Sequence, residues 1–204
     1  MERTVNWDKT ARGKQRTDSD EMFQGRPIIG RDKPINGGVY LGEHAREAIV
    51  VDFAKDKSLQ ELYRKAKIRA TVGNTIAREL VLKSVYDVVK EAMRPSAEGV
   101  DAVVKQFNAQ NDQKILLGCF IDAGVGVCRH HALACAALLE RFKAEKLIRG
   151  SPSVDRNSNY LGGHAWCRYT NSIGEVYILD VSQEKIGRLK DLSGDTWPYR
   201  RPGE

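Results

Sequence analysis

The chain has 204 residues, of which 41% are hydrophobic, and its 33 basic and 27 acidic side chains leave a net charge of +6. That length fits one domain, or one domain with an appendage, with enough apolar material for a real core. No run approaches the roughly 18 apolar residues of a membrane span, and the four cysteines (Cys119, Cys128, Cys135, Cys167) show neither CxxC pairs nor a small-domain disulfide pattern, so membrane-spanning and disulfide-scaffold classes are excluded.

Residues 1–20 are polar and charged with Trp7 as a lone anchor, which predicts a flexible tail and no signal peptide. The expected location is therefore cytoplasmic, or outside the cell by a signal-independent route. Residues 21–204 are expected to form a single domain. From 22 to 42 the glycines and prolines predict irregular structure wrapped over a surface. Ser58 is positioned to cap a helix carrying Leu59, Leu62, Tyr63 and Ala66. Arg64, Lys65, Lys67, Arg69 and Arg78 form a basic stretch without an intervening acid. Such a stretch is ordinarily a solvated helix face, and an acidic partner is its alternative use. No nucleic-acid motif or aromatic interleaving accompanies it, so no nucleic acid is expected.

Helical spacing of Ile76, Leu80, Val81, Val85, Val88, Val89 and Ala92 predicts a long helix over 74–93. Pro95 ends it, and Ser96 caps a shorter one through Val100, Val103, Val104 and Phe107. After the apolar run at 114–118 comes Gly124-Val125-Gly126-Val127-Cys128-Arg129-His130-His131, opening a segment with Leu133, Ala136, Ala137, Leu138, Leu139 and Phe142. Almost every face of that segment is small or apolar, which predicts a central buried helix. A strand at 147–154, a polar loop at 155–163, and two strands at 164–170 and 175–182 complete the reading. Asn171-Ser172-Ile173-Gly174 joins the last two as a hairpin.

Cys128, His164 and Asp180 stand in an order that suits thiol chemistry. A thiolate attacks a carbonyl, and a free cysteine is mostly protonated at neutral pH. A helix start offers unpaired N–H groups and the positive end of the dipole to the anion. An imidazole beside the sulfur completes an ion pair and later protonates the leaving group. A carboxylate on the far ring nitrogen fixes the tautomer. In the hairpin, His164 falls within a residue or two of Asp180 across the ladder while Cys167 points to the other face, which leaves Cys128 as nucleophile. Asp155 and Glu175 are alternatives to Asp180. Gln106, Gln110 and Gln113 are candidates for a second oxyanion donor beside the Cys128 N–H. His130 and His131 lack the second ligand pair of a structural zinc site, so no metal and no cofactor is expected.

Gly-Val-Cys-Arg leading an Ala/Leu helix, then His-Ala-Trp, then a strand ending Leu-Asp, resembles the transglutaminase-like superfamily of papain-like cysteine proteases and acyltransferases. Leu116-Leu117-Gly118 with Gly126-Val127-Cys128-Arg129-His130 is also similar to the peptidase-like domain at the N-terminus of plant Raf-like kinases. The resemblance covers roughly 112–183, with Asp180-Val181-Ser182 where many members have Asp-Pro-Thr. It implies an α+β papain-like or transglutaminase-core fold: a nucleophile helix packed on a small antiparallel sheet, preceded by a mostly helical part at 21–111. It implies Cys128 as nucleophile, His164 as base and Asp180 as orienting acid, acting on a protein or peptide. Hydrolysis of a peptide or isopeptide bond is the expected outcome. The alternatives are a protein-glutamine transglutaminase or deamidase, as in a bacterial effector or toxin, and a non-catalytic binding module that keeps the fold.

Overall fold

Capping and close packing at glycines set the order of elements in the computed structural model, which describes residues 22–42, 47–107, 113–159, 162–192 and 197–204. The tail expected at 1–20 lies outside the described residues. The 22–42 segment is largely irregular, as its composition predicts, with short strands β1 (Met22–Phe23), β2 (Arg26–Pro27) and β3 (Val39–Tyr40). β3 pairs antiparallel with β4 (Ala48–Val50).

The first helix, α1 (Lys57–Arg69), is capped by Asp56 and not by Ser58: the Asp56 carboxylate accepts from the Leu59 N–H at 2.9 Å. Ser58 instead donates to Asp122. The predicted helix at 74–93 is shorter. Residues 71–76 form a small hairpin, β5 (Thr71–Val72) and β6 (Thr75–Ile76), turning at Gly73 with φ +59°, and α2 runs Arg78–Ala92. β7 (Arg94–Pro95) leads to α3 (Ala97–Gln106), which Ser96 caps through the Gly99 N–H as expected.

β8 (Lys114–Leu116) adds parallel to β4, and the short α4 (Leu117–Asp122) follows. Gly118 sits where no side chain fits, because a Cβ there would lie 2.1 Å from Asp56 Oδ1; its N–H instead donates to that carboxylate at 2.7 Å. One buried aspartate thus ties the start of α1 to the start of α4.

β9 (Val125–Gly126) delivers the chain to α5 (Cys128–Ala144). Residues Arg129 through Leu139 and Phe142 of α5 are all buried, so it is the central helix that its composition predicts. One side packs against α1 and α2, and the other against a four-stranded antiparallel sheet in the order β10–β11–β12–β13. These strands are β10 (Gly150–Asn159), β11 (Gly162–Asn171), β12 (Val176–Asp180) and β13 (Lys185–Arg188). The architecture is mixed α and β, with helices on one face of an antiparallel sheet. No described helix is long and apolar enough to cross a membrane.

The polar loop expected at 155–163 is wrong for most of its length, since β10 continues to Asn159 and β11 begins at Gly162. Alternation explains how polar residues enter a strand here. Val154, Ala165, Cys167, Tyr169 and Leu179 face the α5 core. Ser153, Asp155 and Asn157 lie opposite Arg168, Trp166 and His164 on the other face. The segment 197–204 covers that second face, and Trp166, Ile178, Trp197 and Tyr199 form a separate apolar cluster there. The buried polar groups find their partners in the same segment: Asp155 with Arg201, and Asn157 with Trp197 and Pro198.

Candidate active site

Cys128 is the first residue of α5, where its N–H has no carbonyl of the helix to bond. The approach is tight. A Cβ on Gly126 would come within 3.2 Å of His130 Cβ and His131 Nε2, and Gly124 turns with φ +67°. His130 stabilises the helix start by accepting the Val127 N–H on Nδ1 at 3.3 Å.

The hairpin register brings the histidine and aspartate together. Cys167 pairs with Leu179, and one step further sets Asp180 opposite Trp166, diagonal to His164 on the same face. His164 Nε2 lies 2.5 Å from Asp180 Oδ2, and both side chains are buried. Because Asp180 takes Nε2, the other ring nitrogen is left for the sulfur, and His164 and Cys128 line one cavity, close enough for each to shift the other's pKa. Cys128, on the α5 side, shares a cavity with His164 and Ala165 at the end of the sheet, and the Ala165 N–H favours its thiolate form.

Electrostatics separate this thiol from the others. Burial opposes ionisation of Cys128, but the hydrogen bond and charge of His164, the Ala165 N–H and Arg129 outweigh it and bring its pKa below the ordinary thiol value. Burial likewise opposes charge on His164, yet Asp180 and the Cys128 thiolate raise its pKa to about 9. Burial pushes the thiols of Cys119, Cys135 and Cys167 upward instead. The four cysteines are all free.

The carboxylate is held on both oxygens. Asp180 Oδ2 also accepts from the Tyr199 hydroxyl at 2.9 Å, and Oδ1 accepts the Gln183 N–H at 3.1 Å. Trp197 packs against the His164 ring with centres 4.8 Å apart. The covering segment is itself anchored, by Arg201 to Asp155, Asp32 and Ser153 and by Arg168 to Glu204. Sequence reasoning missed Tyr199 and Trp197; the only signal was two aromatics close together in a polar C-terminal stretch.

The other candidates fall elsewhere. Asp155 is committed to Arg201, and Glu175 accepts in the hairpin turn from Asn171, so neither replaces Asp180. Gln106 and Gln113 are exposed and are not among the residues that line the cavity at Cys128; Gln110 lies outside the described residues. His131 donates through Nε2 to the Met93 carbonyl at 3.0 Å, with Nδ1 3.2 Å from the Ser182 hydroxyl. His130 Nε2 faces Glu47 at 3.4 Å. Burial lowers both pKa values, His130 to about 4, so both are neutral packing groups. Arg129 donates to Glu47 at 2.9 and 2.5 Å inside the fold. In the basic stretch, Arg64, Lys67 and Arg69 pair with Glu61, Glu145 and Glu91, and Arg78 donates to the Leu147 carbonyl.

A cavity of about 250 Å³ opens over the sulfur, lined among others by Tyr40, Cys128, Arg156, Gly163, His164 and Ala165. Glycines at 42, 162 and 163 line it too, so a substrate backbone can approach closely. No protein-family model, curated protein or solved structure matches the chain.

Proposed function

We propose that the chain is a cysteine-nucleophile acyl-transfer enzyme with a papain-like, transglutaminase-core fold, acting first as a cysteine protease on a peptide or isopeptide bond. The observation that supports this is that Cys128, the one thiol of the four whose pKa is depressed, shares a cavity with His164, which in turn contacts Asp180.

In this reading the Cys128 thiolate adds to the carbonyl carbon of a bound amide, forming a C–S bond and moving the π pair to oxygen. The Cys128 N–H holds that oxygen. Collapse of the adduct breaks the C–N bond, and His164 gives its proton to the departing amine. His164, now neutral, takes a proton from water as the water attacks the thioester, and the acid is released with the thiolate restored. Asp180 keeps the imidazole oriented and stabilises its charged form, and Tyr199 and Gln183 keep Asp180 in place. An amine in place of water would give cross-linking, and a glutamine side chain as acyl donor would give deamidation or transfer. The thioester is common to all three.

Intact-mass analysis separates these outcomes. The protein is incubated with β-casein and a primary amine, with Cys128→Ala as control. Backbone or isopeptide cleavage that the control lacks supports the protease. Amine incorporation or a gain of about one mass unit per site moves the assignment to a transferase or deamidase. If iodoacetamide shows no preference for Cys128 over the other thiols below pH 8, the enzymatic reading fails altogether.

A further inference from the structure

We propose that the phenol of Tyr40 is the second donor to the oxyanion, facing the Cys128 N–H across the cavity; this rests on the acyl-transfer reading above. Tyr40 ends β3, where pairing of its backbone with Ile49 of β4 fixes it, and its ring is 4% exposed within the main core. It nevertheless lines the same small cavity as Cys128, His164 and Ala165, from the wall that belongs to another sheet.

A donor needs a proton to give and an orientation, and Arg156 supplies both conditions. The Arg156 guanidinium is anchored by Nη1 on the Leu41 carbonyl at 2.9 Å and lies 5.6 Å from the Tyr40 ring centre. Arg156 and Tyr40 line the same cavity, and the guanidinium favours electron density on the phenol oxygen, which makes the O–H available to a group entering the cavity. Burial raises the phenol pKa, and the nearby Cys128 thiolate raises it further, so the group stays protonated throughout the working range. A phenol beside a guanidinium is a stronger donor than a bare one, and it strengthens as an alkoxide develops. The ground-state carbonyl gains less from it than the tetrahedral adduct does, which is the differential that catalysis requires.

Two reactions of the same sulfur isolate this role. In alkylation, the thiolate displaces iodide from iodoacetamide, and no oxygen acquires charge. In addition to an aldehyde, such as an acetylated dipeptide aldehyde, the thiolate forms a C–S bond and the carbonyl π pair becomes an alkoxide that the site must hold. Tyr40→Phe should keep the wild-type pH midpoint for alkylation and weaken the aldehyde adduct by about 100-fold. An unchanged adduct affinity beside a normal alkylation midpoint overturns the role of Tyr40 and leaves the thiol enzyme standing. An ordinary thiol profile in the wild-type protein overturns both. Should the phenylalanine variant not fold, 2,3-difluorotyrosine at position 40 tests the same point, because a more acidic phenol should tighten the adduct and an unchanged affinity refutes the proposal.

Discussion

Ionising a sulfur that is surrounded by protein requires a compensating charge close by, and here that charge is on His164, sustained in turn by Asp180. Asp180→Asn keeps the volume and removes the carboxylate, so the His164 pKa should fall. With less positive charge beside it, Cys128 should alkylate with a midpoint at least about one pH unit higher. Iodoacetamide rates across pH check this, and an unmoved midpoint would remove Asp180 from the ion pair. His164→Ala should shift the midpoint in the same direction and further. The three residues were legible in the sequence because each stands in a local pattern: glycines before a helix start, a histidine after glycines, a strand carboxylate. Tyr199, Trp197 and Tyr40 were not, because nothing in their local spacing marks them. They reach the site only through tertiary packing, from residues 197–199 and from β3.

At the scale of elements, the junction of Asp56 with Gly118 invites a test. A methyl group at 118 would strike the carboxylate that caps α1, forcing it away from both the Leu59 and Gly118 N–H groups. Gly118→Ala should therefore cost about 2–4 kcal/mol, the sum of a lost cap and a buried N–H left without its acceptor. Urea unfolding reads this as a lower midpoint with an unchanged slope. Breaking the buried Arg129–Glu47 pair with Glu47→Ala should cost about 3–5 kcal/mol, while replacing both partners by apolar residues should cost much less. A double-mutant cycle distinguishes the two cases. Helical periodicity located α2, α3 and α5 well, since their apolar faces are continuous. It failed at 74–76, where a hairpin turning at Gly73 replaces the expected first turn, and the loop expected at 155–163 missed strand residues that are polar because their partners come from the covering segment.

For the whole molecule, the titrating groups predict an asymmetric dependence of stability on pH. His164 has a raised pKa, so its stabilisation is full below about 6.5 and is lost as pH rises through about 9. Cys128 has a lowered pKa, so its stabilisation is full above about 9 and is lost as pH falls through its folded value. Between those limits the folded pair holds one proton on nitrogen and the unfolded pair holds one on sulfur, so the two slopes cancel. No such cancellation operates on the acid side. Buried neutral His130, with a pKa of about 4, and Glu47, held at about 2, both resist protonation in the fold. The melting temperature should be nearly flat from pH 6.5 to 9 and decline steadily below it. Calorimetry at constant ionic strength checks this, and a higher melting temperature at pH 4.5 than at pH 7 would contradict it.

The sulfur acquires its reactivity from groups that are far apart along the chain: a helix start, one strand, its hairpin neighbour, and the segment that locks over them. A nascent or partly denatured chain possesses the cysteine without those neighbours, and therefore carries an ordinary thiol that ionises only near the usual thiol pKa. Labelling of Cys128 well below the usual thiol pKa is thus expected of finished molecules alone, and the amplitude of that component reports, from inside the protein, the fraction that has folded.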